Sequence, residues 1–444
     1  EVKLDGVCGA QDLIGTGSYN KIIADNPDGV NVTESTVING HLIVDDGIFT
    51  TNDATTFPCD FDNPTGPSPF TRHAVGQIGP VATTGSISGD VTVEQCFPGR
   101  RAFRLVSAST TGGSMHNEWQ ENPEIAQGGY THDPRPGYGT HITGLAPGAP
   151  NALDMLGDDQ LNGLDWQPSG NVSVFSFNNG SQGWDNVIDT ENTTLGAGNP
   201  YLMMIRGSRA VDLTLNISPT SNTKLESTGT APKGPVPFSP TGVSNGGFAL
   251  VGNPFHAVVD LLQVIPNNGD YTNFAYIFDP NLGGGADVNA TGQLGGRGGY
   301  VTVNLSDGST SVEDSGVTIN TTDASQFIQP YQAFFVQTNV ASPADIVFEE
   351  ADKRVGEIQT DVFSSLPQAK IFINLFDKES LNNLNTPDDG VVIYFTPNAN
   401  NAVDANDAPK FFNQDEMIAR NENGNLVSFE NRAMPTEDDV LKLH

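Results

Sequence analysis

Gly247-Phe-Ala-Leu-Val-Gly-Asn-Pro254 decides the architecture, because the same set of parts has already occurred once, starting at Arg101-Ala-Phe-Arg-Leu-Val-Ser-Ala-Ser109. Each run is followed by a long loop and an aromatic strand, Val172-Ser-Val-Phe-Ser-Phe177 in the first and Phe274-Ala-Tyr-Ile-Phe278 in the second. Gly183-Trp184 and Gly299-Tyr300 come next, then Asn199-Pro-Tyr-Leu-Met-Met-Ile205 and Gln329-Pro-Tyr-Gln-Ala-Phe-Phe335. One match could arise by chance, but an ordered series with drifting offsets points to a duplicated β-sandwich module. A closing strand is expected near 211–215 in the first copy and near 345–348 in the second.

Period-2 alternation extends the β reading outward. Val211, Leu213, Leu215 and Ile217 alternate with Asp212, Thr214 and Asn216, the pattern of a half-buried strand. Tyr300-Val-Thr-Val-Asn-Leu305, Ile371-Phe-Ile-Asn-Leu-Phe376, Val391-Val-Ile-Tyr-Phe395 and Asn425-Leu-Val-Ser-Phe429 read as strands too. Asn39-Gly40, between Thr36-Val-Ile38 and His41-Leu-Ile-Val44, predicts a two-residue hairpin turn. Residues 256–265 are the nearest approach to a helical period. The expected fold is therefore all-β: tandem antiparallel sandwiches, immunoglobulin-like or jelly-roll-like, in series behind an N-terminal β-rich region. The boundaries fall at 1–90, 91–232, 233–357 and 358–444, with the Pro/Gly/Ser-rich stretch 231–245 as linker. The last segment is short for a sandwich, and an incomplete one would offer a strand edge to a neighbour.

Charge narrows the partners. Twenty Lys and Arg stand against 53 Asp and Glu, a formal charge of −33 in 444 residues of which only 16% are charged. No basic face exists to neutralise phosphates, which excludes nucleic acid. No apolar run approaches the roughly 18 residues of a membrane-spanning helix. Cysteine occurs at 8, 59 and 96. Ordinary thiols are the default reading, and a Cys8–Cys59 bridge is the alternative.

No catalytic constellation emerges. Gly242-Val-Ser-Asn-Gly246 matches the nucleophile-elbow motif letter for letter, yet a strand follows its Ser where the elbow needs a helix, so it reads as linker. His132-Asp133 and His141 lie in a Gly/Pro/Tyr-rich stretch without a matched nucleophile or third ligand, and read as a loop held by its own polar contacts. Calcium is the cofactor that Asp/Asn-rich turns would accept, with Asp60, Asp62, Asp404 and Asp407 as candidate ligands and Asp388-Asp389-Gly390 as a further turn. Trp119 and Trp166 are the candidate platform for a glycan, whereas Trp184 reads as core because it matches Tyr300 in the repeat.

The second module carries Phe248-Ala-Leu-Val-Gly-Asn-Pro-Phe255, Tyr276-Ile-Phe-Asp-Pro280, Ile328-Gln-Pro-Tyr-Gln-Ala-Phe-Phe-Val336 and Ile346-Val-Phe-Glu349 with Arg354. The first carries Val91-Thr-Val-Glu94, Gly99-Arg-Arg-Ala-Phe-Arg104, Trp119-Gln-Glu121, Gly137-Tyr-Gly-Thr-His-Ile-Thr-Gly144 and Arg206-Gly-Ser-Arg209. These series resemble the β-sandwich segments that precede the sorting domain in Bacteroidota type IX secretion cargo. Cys96 departs from that pattern, standing where an aromatic or aliphatic residue is usual. The resemblance implies a secreted, extracellular or cell-surface protein of structural or adhesive character. It also implies a structural role for the His141 loop, and an N-terminal region similar to the tail of β-rich, sometimes solenoidal, upstream parts. Self-association through strand edges or the third domain is the partner it suggests, with a carbohydrate-binding accessory role as the alternative.

Overall fold

The computed structural model describes residues 1–61, 74–99, 101–123, 132–144, 161–167, 170–213, 218, 220–280, 299–312, 324–355, 369–378, 389–395, 400–403, 407–410, 417–433, 435–436 and 439–444. Their regular secondary structure is almost wholly strand. The chain is all-β. Residues 256–265, the helical candidate, contain one turn of helix, Leu261–Val264, capped by the Asp260 carboxylate on the Leu262 amide at 3.1 Å. Two compact units result: one over Glu1–Gly283, Arg297–Ser315 and Asn320–Ser364, the other containing Ser365–His444.

The N-terminal region is a parallel stack. Gly17 pairs with Thr36, Thr36 with Thr55, and Thr55 with Val91, while Val2, Ile22, Leu42 and Ile78 form a second column in register. A third column runs Gln11, Val30, Phe49 and Ile87. The first rungs take 19 or 20 residues and the last takes 36 to 38, and Ile22, Val30, Leu42 and Phe49 point inward with no exposed surface. Strand stacking in this form is a solenoid, in which a rung buries its apolar face only against its neighbours. The Asn39-Gly40 hairpin is therefore corrected: both residues lie inside the single strand Thr36–Thr50, paired in parallel with Gly17–Asp25. Gly40 serves a different need, since a Cβ there would stand 1.9 Å from the Asn20 carbonyl oxygen.

The solenoid runs directly into the first repeat. Strand Val91–Phe97 pairs in parallel with Thr55–Phe57 on one side and antiparallel with Thr223–Thr230 on the other, within one 11-stranded sheet. The closing strand expected at 211–215 is likewise corrected. Residues 211–213 form a bend and turn, residues 214 and 215 lie outside the described residues, and Thr223–Thr230 is the strand that pairs. The bridge joins Cys59 to Cys96, so both the all-thiol reading and the Cys8–Cys59 pairing fail, and Cys8 is an exposed thiol. Register brings the two together: Phe57 pairs in parallel with Val93, and Cys59 and Cys96 follow two and three residues further along adjacent strands.

The duplication appears as repeated topology. In the first repeat the strand order is Ala102–Ser107, Pro200–Ile205, Val174–Asn178, Gly183–Asn186; in the second it is Phe248–Gly252, Ala333–Thr338, Tyr271–Asp279, Gly299–Asn304, with Thr310–Val312 added. The two sheets share an apolar layer. Leu105, Leu202, Phe177 and Trp184 from the first pack with Leu250, Phe248, Phe335 and Tyr276 from the second. The Phe177 and Phe335 rings meet edge to face at 4.9 Å. Beneath its other face the second sheet has its own core, where Ile346 and Phe348 of strand Ile346–Phe348 join Val251, Ile277 and Val336.

The second unit has a five-stranded sheet in which Asp389–Phe395 pairs antiparallel with Ala369–Leu375 and parallel with Asn425–Arg432. Val391, Ile393 and Phe395 are its buried apolar centre. Its hairpin Arg420–Glu422/Asn425–Arg432 turns through Asn423 and Gly424, both at positive φ.

Candidate functional site

The polar motifs of the first repeat converge on one carboxylate. Asp165 is buried and accepts from Arg209 at 2.6 Å on one oxygen and 2.7 Å on the other. Gln120 Nε2 and the Ile142 amide each donate to it at 2.9 Å. His141, 2% exposed, places Nδ1 3.6 Å from Asp165 and donates from Nε2 to the Val211 carbonyl at 3.0 Å. Arg209 also donates from Nε to the His132 carbonyl at 2.8 Å, and Thr140 donates to the Gly207 carbonyl at 2.8 Å. Burial alone would favour the neutral acid. The Arg209 guanidinium, and after it His141, outweigh burial and hold the Asp165 carboxyl well below the usual carboxylate range.

This centre ties the stretch Gly137–Gly144 to Arg206–Arg209 through four donors on one carboxylate. His141 is held through Nε2 on a carbonyl, while its Nδ1 faces the carboxylate without a hydrogen bond. Such an arrangement fixes loops, because removing any member leaves a buried charge or dipole unpaired. The sequence reading named His141 and Arg209 but missed Asp165, whose role rests on contacts 23 to 45 residues away. Its place beside Trp166, in a motif-poor stretch, carries no local signal.

Trp119 is corrected as a glycan platform. It has no exposed surface and lies between two tyrosines, Tyr201 at 5.9 Å and Tyr331 at 6.2 Å. These are the equivalent residues of the two repeats, from Asn199-Pro-Tyr201 and Gln329-Pro-Tyr331. Trp166 is half-buried. Among the calcium candidates, Asp60 lies in the short strand Cys59–Asp60 and Asp407 in a bend, while Asp62 and Asp404 lie outside the described residues. No group of three or more His, Cys, Asp or Glu among the described residues gathers as metal ligands. The Asp389 turn is committed elsewhere: its carboxylate binds the Lys410 ammonium and the amides of Ile418 and Gly390, each amide at 2.8 Å. Burial opposes ionisation there, yet Lys410 and the two amides hold the group below its ordinary value. The Gly242–Gly246 stretch is a turn leading into strand Phe248–Gly252.

No family model, curated protein or solved structure matches the chain.

Proposed function

We propose that the chain is a structural, adhesive scaffold of a secreted surface protein, which forms or decorates a filament or layer outside the cell. The observation that carries this reading is the fusion of solenoid and repeats into one body. Hydrogen bonding runs unbroken from the stacked rungs into Val91–Phe97, and Tyr331 of the second repeat is buried beside Trp119 of the first, its hydroxyl 2.6 Å from Ser227 Oγ. A continuous ladder with shared cores transmits load without a hinge. The Cys59–Cys96 bridge supports an oxidising compartment. In the second unit, Ala369–Leu375 stands at the end of its sheet among the described residues and supplies an edge for a second copy.

The net charge of −33 sets the conditions. With so few bases to offset them, the acids of neighbouring copies repel at low ionic strength, so assembly should strengthen with salt or divalent cations. Electron microscopy of the purified protein in low salt, high salt and added calcium tests this. Filaments or sheets that grow with ionic strength are expected; dispersed monomers under every condition would overturn the reading.

A further inference from the structure

One face of the large sheet holds more acid than it can pair. Glu94 stands directly opposite Glu226 on the antiparallel strands, a like-charge pairing that costs stability. Residues 132–140 cross this face as a strap. The Gly139 amide donates to the Lys224 carbonyl at 2.8 Å, and the Lys224 amide donates to the Gly137 carbonyl at 3.0 Å. Tyr138 donates its hydroxyl to Glu94 at 3.1 Å, and Lys224 binds the same carboxylate at 2.9 Å. Arg135 lies 3.5 Å over the Tyr138 ring and donates to Glu226 at 2.6 Å.

Glu121 packs against this strap at the end of the turn that buries Trp119. Its backbone is left-handed at φ 62°, and a Cβ on Gly139 would come within 2.7 Å of its Cγ. Its side chain is only 10% exposed, with Oε2 3.6 Å from Arg135. Oε1 is buried and accepts no hydrogen bond. The groups around it are Glu226 from the sheet, Glu118 from its own turn and Arg135 from the strap, with Glu94, Lys224, Tyr138 and Asp90 beyond. Asp133, also on the strap, has a buried Oδ1 without a hydrogen bond. Two carboxyls, Glu121 and Glu226, thus share one guanidinium, and Glu118 spends its Oε2 on the Thr228 amide at 2.8 Å.

We propose that Glu121 is a proton-operated latch: as the neutral acid it lets the strap lie closed on the sheet, and as the carboxylate it drives the strap open. A buried carboxylate oxygen without a donor is costly, whereas the neutral acid bears that position at a fraction of the cost. Burial, then the Glu226 charge, push the Glu121 carboxyl up to about 8 against the pull of Arg135. Burial raises Glu118 and Glu226 as well. Because the folded value lies above the ordinary 4.5, the closed strap is fully stabilised below pH 4.5. That stabilisation declines as pH rises and is lost through pH 8.

Amide exchange at Gly139 and Lys224, corrected for the intrinsic pH dependence, reads strap opening. Opening is expected to rise by up to about tenfold per pH unit between pH 5 and 8 and to level off above. Glu121→Gln should flatten that rise and remove a glutamate carboxyl resonance titrating near pH 8. Asp133→Asn should leave both in place, and Glu226→Gln should move the titration toward its ordinary value. A pH-independent strap, an equal slope in Glu121→Gln, or loss of the slope in Asp133→Asn would each overturn the proposal. Should Glu121→Gln fail to fold, an unmoved titration in Glu226→Gln would overturn it.

Discussion

Asp165 shows how a single side chain can organise a repeat. Its ionised form is held by Arg209, Gln120, Ile142 and His141, so Asp165→Asn leaves the Arg209 guanidinium buried without its counter-charge. Urea unfolding should register a loss of about 3–5 kcal/mol at pH 7. The carboxyl's folded value is depressed, so its contribution is present above the unfolded value near 4 and lost as pH falls below it. The gap between wild type and Asp165→Asn should therefore narrow steadily as pH drops below about 4; a gap that stays constant would refute the assignment. At the same scale, Cys96 shows why a departure from the resembled pattern was informative. Its partner Cys59 was visible in the sequence, but the adjacency follows from parallel stacking.

Strands show what local pattern can and cannot determine. The alternating runs at 371–375, 391–395 and 300–304 are strands because a period of two suits no other element. The order of parts in the two repeats reappears as the same order of four strands, with a fifth added in the second. The dipeptide Asn-Gly, by contrast, has two fates. At Asn423-Gly424 it turns a hairpin at positive φ, while at Asn39-Gly40 it is threaded through a strand whose partner is the preceding rung. Local chemistry permits the turn in both places, and tertiary pairing decides. The missed signal was a spacing of 19 or 20 residues linking Gly17, Thr36 and Thr55 and linking Val2, Ile22 and Leu42. That period was obscured by the few rungs present. Little of the Asp165 centre was legible, because its members come from four separated segments. Gly40→Ala tests the solenoid: with backbone oxygen 1.9 Å from the added Cβ, the rungs must shift. A loss of at least about 2 kcal/mol is expected in chemical denaturation, and a neutral substitution would contradict the stacking.

For the whole molecule, the sequence suggested modules strung in series, and within the first unit the solenoid and the two repeats are more tightly joined than that image. The two repeats share an aromatic layer, and Tyr331 crosses from the second repeat into the core of the first, where its hydroxyl reaches Ser227. Lys353 and Glu350, at the end of the second repeat, hold the solenoid as well: Lys353 donates to the Gly79 carbonyl at 3.1 Å, and Glu350 accepts from the Val81 amide at 2.7 Å. The central claim is this fusion, and amide exchange on Tyr331→Ala tests it most directly. Losing a buried aromatic should cost about 3–5 kcal/mol. Protection should fall together at Val93 and Leu225 in the large sheet and across Ala333–Thr338 in the second repeat. Loss confined to the second repeat, with Val93 and Leu225 unchanged, would contradict the account.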